Sequence, residues 1–418
     1  MTGTRSADDF RWGPILVPAY GPTALASLGA GALVPIVPLT ATAEGASIGV
    51  AALVVALAAI GQLCGDLPAG AIAARLGERK ALILAGLVDA AAMVLAYVST
   101  SLFVLGLAVF ISGLAGSVFN LARHTWMTVA IPLRFRARAL SSLGGVTRIG
   151  AFLGPFAAAA TVSIWSVHAV YLFAAATGIA ATLIAAAVRD LDDLTGDPAA
   201  RHPVSPVIST GKVTIRTLVS SNRRVLRTLG VGVLLLCVAR ASRDSVLPLW
   251  AEAQHLDPAT ISIIFGIAAG LELLLVYPGG AAMDRFGRVA VGVPATAAIG
   301  LGLLLLPLTH SAVGIAVLAC LMGMGNGLSS GLVLTLGSDA APAVGRSQFL
   351  GIWRLFADVG RVGGPGLVAL IALFAPLAVG SLAVGAVSIV GSWWLAHFSP
   401  QLVQRRARRA PPDDAPTS

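Results

Sequence analysis

Along this chain the apolar residues come in blocks. They neither alternate with polar residues, as in a half-buried strand, nor recur on one helical face. About twelve such runs lie near 14–39, 48–72, 81–99, 102–127, 137–162, 165–188, 226–250, 259–281, 289–309, 311–337, 347–373 and 376–398. Each is close to or above the roughly 20 residues that a helix needs to cross the hydrocarbon core of a bilayer. Runs apolar on every side predict helices surrounded by lipid and by one another. One long polar stretch, 189–224, contains RDLDDLTGDPAARHP and divides the runs into six and six. The pattern predicts an all-α membrane protein of twelve transmembrane helices in two six-helix bundles. Its expected parts are an N-terminal bundle over 1–188, a linker over 189–224 that is partly helical at most, a C-terminal bundle over 225–398, and a tail over 399–418.

Composition agrees. The 418 residues are 57% hydrophobic and 11% charged, with a mean hydropathy of +0.88, too little polar surface to cover a soluble core. A net charge of +9 could suggest nucleic acid as a partner, but the placement of the charges explains it otherwise. With the N-terminus inside, the inner segments hold 22 of the Lys and Arg residues, and the outer loops hold none, only Glu44, Glu252 and Asp257. That asymmetry predicts a plasma-membrane protein with both termini and the linker in the cytoplasm. The start, MTGTRSADDFRWG, has no cleavable-signal pattern, so the first apolar run is expected to remain. Cys64, Cys237 and Cys320 lie far apart in apolar runs and read as small buried hydrophobes, with no disulfide framework or metal spacing.

The two halves match at a constant shift of 210. Pro38 corresponds to Pro248, Gly70 to Gly280, Arg75 to Arg285, Gly77 to Gly287, Gly113 to Gly323 and Pro132 to Pro342. Farther on, Arg136 corresponds to Arg346, Gly150 to Gly360, and Gly154-Pro155 to Gly364-Pro365. A parallel duplication of a six-helix unit is the architecture of one large class of transporters.

The loops between the second and third helix of each half carry further motifs. GAAMDRFGR, Gly280 to Arg288, includes Asp284, Arg285 and Gly287. Its first-half counterpart, GAIAARLGER, runs from Gly70 to Arg79 and includes Arg75 and Gly77, with Ala74 in place of the acid. LGAGALVPIVP, Leu28 to Pro38, contains Pro35 and Pro38, and GAFLGP runs from Gly150 to Pro155. On these motifs and the repeat, the chain resembles the major facilitator superfamily over nearly its whole length. The helix 1 and helix 5 patterns are similar to those of the twelve-helix drug/proton antiporters. The chain departs from that group at Ala157-Ala158, where its members carry Gly-Gly, and at Val109, where they carry an Arg. The resemblance implies alternating access, a cytoplasmic gate at the 2–3 and 8–9 loops, and Gly and Pro positions that let helices pack closely and bend. It also implies that helices 1, 4, 7 and 10 line a central cavity whose walls are completed by 2, 5, 8 and 11.

Charged side chains inside the spans cost roughly 2.5–3.5 kcal/mol each on insertion scales, so they are expected to face protein or water. They are Arg123 on helix 4 and Arg148 on helix 5; Arg240, Arg243 and Asp244 on helix 7; Glu272 on helix 8; and Arg354, Asp358 and Arg361 on helix 11. All map to the helix groups that the resemblance assigns to the cavity. Asp89 on helix 3 stands apart with no assigned role, and Asp66 near the inner end of helix 2 is expected to belong to the gate. The six Arg are expected to contact substrate. Burial disfavours the charged form of a carboxyl group, and a proton-coupled carrier needs a carboxyl that gains and loses a proton during its cycle. Glu272, which has no counter-charge on its own helix, and Asp358 are the first candidates, with Asp244 next. The bland alternative is that Arg240–Asp244 and Arg354–Asp358 are i, i+4 pairs that neutralise each other.

The expected function is secondary active transport of a small molecule by proton-coupled efflux, carried out by a monomer with no cofactor, metal or nucleic acid. Proton-coupled uptake of an organic anion or metabolite is the same-fold alternative, and a transport-like receptor or channel without coupled flux is another. The segment STGKVT at 209–214 lacks the preceding Gly and the adjoining Ser/Thr of a P-loop, and no HExxH or GxSxG occurs, which argues against a pump or an enzyme.

Overall fold

A computed structural model describes residues 13–131, 133–187, 215–342 and 344–407. Residues 189–214 of the expected linker and 408–418 of the tail lie outside them. The described residues hold twelve helices long and apolar enough to cross a membrane. In the first half these are α1 (Gly13–Ala43), α2 (Ile48–Leu76), α3 (Glu78–Tyr97), α4 (Leu102–Ala130), α5 (Leu133–Ile164) and α6 (Ala169–Ala187). In the second half they are α7 (Arg223–Ala253), α8 (Pro258–Phe286), α9 (Arg288–Leu308), α10 (Ala312–Ala340), α11 (Arg346–Ala372) and α12 (Leu377–Ala407). A short helix, Ile215–Ser221, precedes α7. The part of the expected linker that is described is therefore largely helical, and α12 continues nine residues past the expected end of its apolar run at 398.

Three departures from α geometry lie within the described spans, one of them the 3-10 turn Leu306–Leu308 that ends α9. A π turn, Leu226–Gly230, lies near the start of α7, and residues 329–331 divide α10 into Ala312–Leu328 and Leu332–Ala340. Prolines do not break the ladder: α1 runs through Pro35 and Pro38, and α7 through Pro248. Helix ends follow local chemistry. Asp257 caps α8 by accepting from the Thr260 N–H at 2.9 Å, and Pro258 stands at the first helical position, where its missing N–H costs nothing. The α2–α3 and α8–α9 connections turn at Gly77 (φ 79°, ψ 156°) and Gly287 (φ 93°, ψ 155°), a backbone region essentially closed to other residues.

The chain divides into two compact units. One holds residues up to Thr40 and from Leu57 through α6; the other holds Ala41–Ala56 and the residues from Ile215 onward. In the first, α3 packs against α4 and α6 around Ala81, Leu82, Ala85, Val118, Phe119, Ala122 and Ala185. In the second, α7 packs against α11 and α12, α8 against α10, and α9 against α10 and α12.

Several of the repeated glycines lie where backbones touch. A Cβ on Gly154 of α5 would stand 2.6 Å from the Leu28 carbonyl oxygen of α1, and one on Gly364 of α11 would stand 2.7 Å from the Val238 carbonyl oxygen of α7. Gly113 abuts Ala58 across α4 and α2, and Gly323 abuts Ala268 across α10 and α8. Helices in lipid gain little from hydrophobic association, so close backbone contact at small residues holds them together. Leu67, Phe103, Tyr277 and Phe374 meanwhile leave 78–87% of their surface uncovered, a face suited to lipid rather than water.

Candidate functional site

In the second unit the intramembrane charges converge on one carboxylate. Glu272 of α8 accepts from Asn326 Nδ2 of α10 at 2.7 Å and from Arg243 Nη1 of α7 at 3.3 Å, both on its Oε2. The Asn326 side-chain oxygen in turn accepts from Arg240 Nε, and its backbone oxygen from Arg240 Nη2 at 3.3 Å. Arg243 is buried, with 5% of its side chain exposed against 21% for Glu272. Half-buried Asp244 faces Arg243, Glu272 and Arg240. The two Arg and two acids balance. Packing creates this geometry: a Cβ on Gly327 would come within 2.5 Å of the Glu272 carbonyl oxygen, so α8 and α10 touch beside the carboxylate and bring Asn326 to it.

Of the two i, i+4 pairs that the bland alternative required, only one is thus present among the described residues. No ion pair joins Arg240 to Asp244 among the described residues, because Arg240 turns to Asn326 instead. On α11 the pairing is present. Arg354 Nε lies 3.7 Å from Asp358 Oδ2, and Arg361 Nη2 contacts Asp358 Oδ1. Asp358 is buried, while the Arg354 and Arg361 side chains keep 58% and 41% of their surface. A bound anion could therefore reach both guanidinium groups without displacing the acid between them.

The first unit is arranged differently. Its two acids inside the spans are each held by a serine of α4. Ser112 donates to Asp89 at 2.5 Å, giving Asp89 a partner that sequence did not suggest, and Ser117 donates to Asp66. Arg148 is half-buried on α5. Arg123 is 7% exposed; its Nη1 lies 3.4 Å from the Thr23 hydroxyl of α1, and its guanidinium sits 5.9 Å from the Phe119 ring centre.

At the α8–α9 connection, Arg288 is the fixed point. It pairs with Asp284 at 3.2 Å and with Asp339 of α10 at 3.1 Å, and donates to the Met283 carbonyl at 3.1 Å. Arg285 lies over the Phe286 ring at 5.2 Å. In the α2–α3 connection the Arg288 position is Glu78, and Arg79, one residue later, donates to the Ala186 carbonyl at the end of α6. Arg75 is exposed there. A Cβ on Gly70 or Gly280 would meet nothing within 4 Å.

Sequence reasoning passed over Asn326 and Asp339. A search for charges inside spans does not register an amide, although Asn326 is the bulkiest polar side chain in the apolar run of Ala312–Leu328. Asp339 lies at a helix end, where an acid draws no notice.

A family model described as Major Facilitator Superfamily matches residues 23–365. The chain belongs to that superfamily. It is a multi-pass membrane transporter and not an enzyme. None of the curated proteins compared with it matches. Solved structures do. The nucleoside transporter NupG has a TM-score of 0.73 at 13% identity, over 92% of this chain and 98% of that one. A peptide transporter POT in complex with sulfate has a TM-score of 0.71 at 14% identity, over 93% and 95%. A POT family transporter in complex with 5-aminolevulinic acid has a TM-score of 0.70 at 13% identity, over 93% and 96%. These similarities establish the fold.

Proposed function

We propose that the protein is a proton-coupled secondary transporter that exports a small molecule across the plasma membrane by alternating access, with Glu272 as the group that takes up and releases the proton. One observation carries the reading. A single Glu272 oxygen is the acceptor for donors from two other helices, Arg243 of α7 and Asn326 of α10, and Asn326 also bonds Arg240. Protonating that carboxylate removes the charge that holds Arg243 and frees the Asn326 amide, so one proton loosens α7, α8 and α10 from one another. Asp358 orders Arg354 and Arg361 for substrate, and Asp244 balances the remaining cation.

The basic asymmetry supports an orientation with both termini in the cytoplasm. In that orientation Gly280, Asp284, Arg285, Gly287 and Arg288 form a cytoplasmic gate latched through Asp339. Gly70, Arg75, Gly77 and Arg79 are its counterpart, tied instead to α6. The carrier works as a monomer without cofactor.

The test is reconstitution into liposomes, using a compound first identified by thermal-shift screening of anionic, cationic and neutral ligands. Glu272→Gln, which mimics the protonated acid, is expected to abolish flux driven by a pH gradient while retaining counterflow without one. Normal gradient-driven flux in that variant removes Glu272 from the mechanism. Absence of counterflow in the unmodified protein would favour a receptor or channel.

A further inference from the structure

Arg123 is a buried cation that no carboxylate answers among the described residues of its unit. Its side chain meets one hydroxyl, Thr23, and one aromatic ring, Phe119. Its Nε is enclosed and has no acceptor. The other buried cation of the spans, Arg243, has the Glu272 carboxylate. A guanidinium carries five N–H donors in a flat fork and never loses its proton, so it cannot relieve burial by becoming neutral. An uncompensated buried charge of this kind is retained at a cost to stability, which calls for a role other than packing.

Two further features of α4 lie on the same side as Arg123. Gly116, Asn120 and Arg123 are spaced i, i+4 and i+7, which places them within about 60° of one helical face. A Cβ on Gly116 would meet no atom within 4 Å, so this face is open two turns from the guanidinium. Half-buried Asn120 lies between them and makes no hydrogen bond among the described residues. The repeat sharpens the contrast. The second-unit counterpart of Gly116, at the shift of 210, is Asn326, which fills that position and ties Arg240 to Glu272. In the first unit Gly116 presents no side chain at the corresponding place, and Asn120 and Arg123 follow one and two turns along the same face.

We infer that Arg123, with Asn120 and Thr23, forms a subsite for the carboxylate group of the transported molecule, which makes the cargo an organic acid anion. The inference rests on the transport reading above and adds the substrate class. A carboxylate presents two coplanar oxygens that suit the guanidinium fork, and its charge supplies the one that the unit lacks. The Asn120 amide and the Thr23 hydroxyl add neutral donors that require no second charge on the ligand, which selects a monocarboxylate. The Phe119 ring, 5.9 Å from the guanidinium carbon, attracts the cation without taking any of its N–H donors.

The test uses the purified full-length protein in detergent at constant ionic strength, with methanesulfonate as the balancing anion. Binding of a monocarboxylate panel from acetate to benzoate is followed by thermal shift and calorimetry, beside uncharged benzamide and chloride. At least one carboxylate should bind, and benzamide should not. Arg123→Met should weaken that binding at least tenfold, and Arg123→Lys, which keeps the charge but not the fork, should recover part of it. Both variants are accepted only if they elute as the unmodified protein does, and Arg123→Lys keeps the question open to test should Arg123→Met fail to fold. No binding by any carboxylate, equal stabilisation by chloride, or binding unchanged in Arg123→Met would each overturn the subsite. The two readings fail separately. If a carboxylate binds through Arg123 but a pH gradient does not drive its flux, coupling fails and the subsite stands. If a gradient drives flux of a compound that Arg123→Met binds normally, the subsite fails and coupling stands.

Discussion

At position 326 the second unit carries an asparagine bonded to Arg240 and Glu272, and 210 residues earlier the first unit carries Gly116 with open space beside it. A few residues away on the same helices, Gly113 and Gly323 each press against a backbone, and Gly154 and Gly364 repeat the pattern on α5 and α11. At these positions glycine is retained in both units because a Cβ has nowhere to go. Polar positions carry no such constraint, and there the two units have diverged. The second neutralises its buried charges by cross-helix pairing of Arg243 with Glu272 and by the Arg354–Asp358–Arg361 group. The first ties its acids to serines and, among the described residues, sets no counter-charge against Arg123. A shared packing frame thus supports two electrostatic arrangements, one with its buried cation paired to a carboxylate and one with its buried cation set against a hydroxyl and a ring.

The largest effect is expected from breaking the α11 group. Asp358→Asn leaves two cations facing a neutral amide. Removing one partner of a fully buried pair costs about 3–5 kcal/mol, and the exposure of both Arg side chains brings the expected loss toward the lower end or below it. Its counterpart by the repeat is Arg148, which is half-buried, and Arg148→Asn should cost distinctly less. Denaturant or thermal unfolding of the two variants side by side checks this, and equal losses would remove the contrast.

Next comes the shared frame. Gly364→Ala and Gly154→Ala each push a methyl group into a facing backbone and should destabilise by about 1–3 kcal/mol, as overpacking does. Because the frame is common, the two should agree closely. A harmless change at either position would mean that the repeat is ancestral and no longer structural.

The smallest effect concerns helix caps. Asp257 accepts from the backbone N–H and the hydroxyl of Thr260, which hold its carboxyl below the usual range. Its counterpart Ser47 accepts from the Val50 N–H at a longer 3.4 Å. A depressed folded-state pKa contributes stability that is present above the unfolded value and lost as pH falls through the folded one. Asp257→Ala should therefore cost about 1 kcal/mol at neutral pH and less in acid, whereas Ser47→Ala should cost less and show no such pH dependence. Stability measured across pH for both separates the two cases.

Most of the fold is legible in the sequence, because blocks of apolar residues near the thickness of a bilayer admit few alternatives, and Gly and Pro at a fixed shift reveal the duplication. The break in α10 at 329–331 was not legible, since Ser-Ser-Gly carries no proline to announce it. The charged members of the site could be named, but not their partners. Helical spacing offered Asp244 to Arg240, whereas the fold gave Arg240 to Asn326 on another helix. The subsite proposed at Arg123 rests on Gly116, Asn120 and Thr23, an absence and two uncharged side chains, none of which stands out in a hydropathy profile.

The central claim is that the buried cation of the second unit is answered by its own unit and the buried cation of the first is not. Thermal unfolding of Arg123→Met and Arg243→Met, compared with the unmodified protein without ligand, tests it most directly. Replacing an unanswered buried charge with an apolar side chain of similar length should relieve the fold, while removing Arg243 takes from Glu272 the guanidinium paired with it. The account predicts midpoints that move in opposite directions, upward for Arg123→Met and downward for Arg243→Met. A fall in Arg123→Met as large as that in Arg243→Met would contradict it.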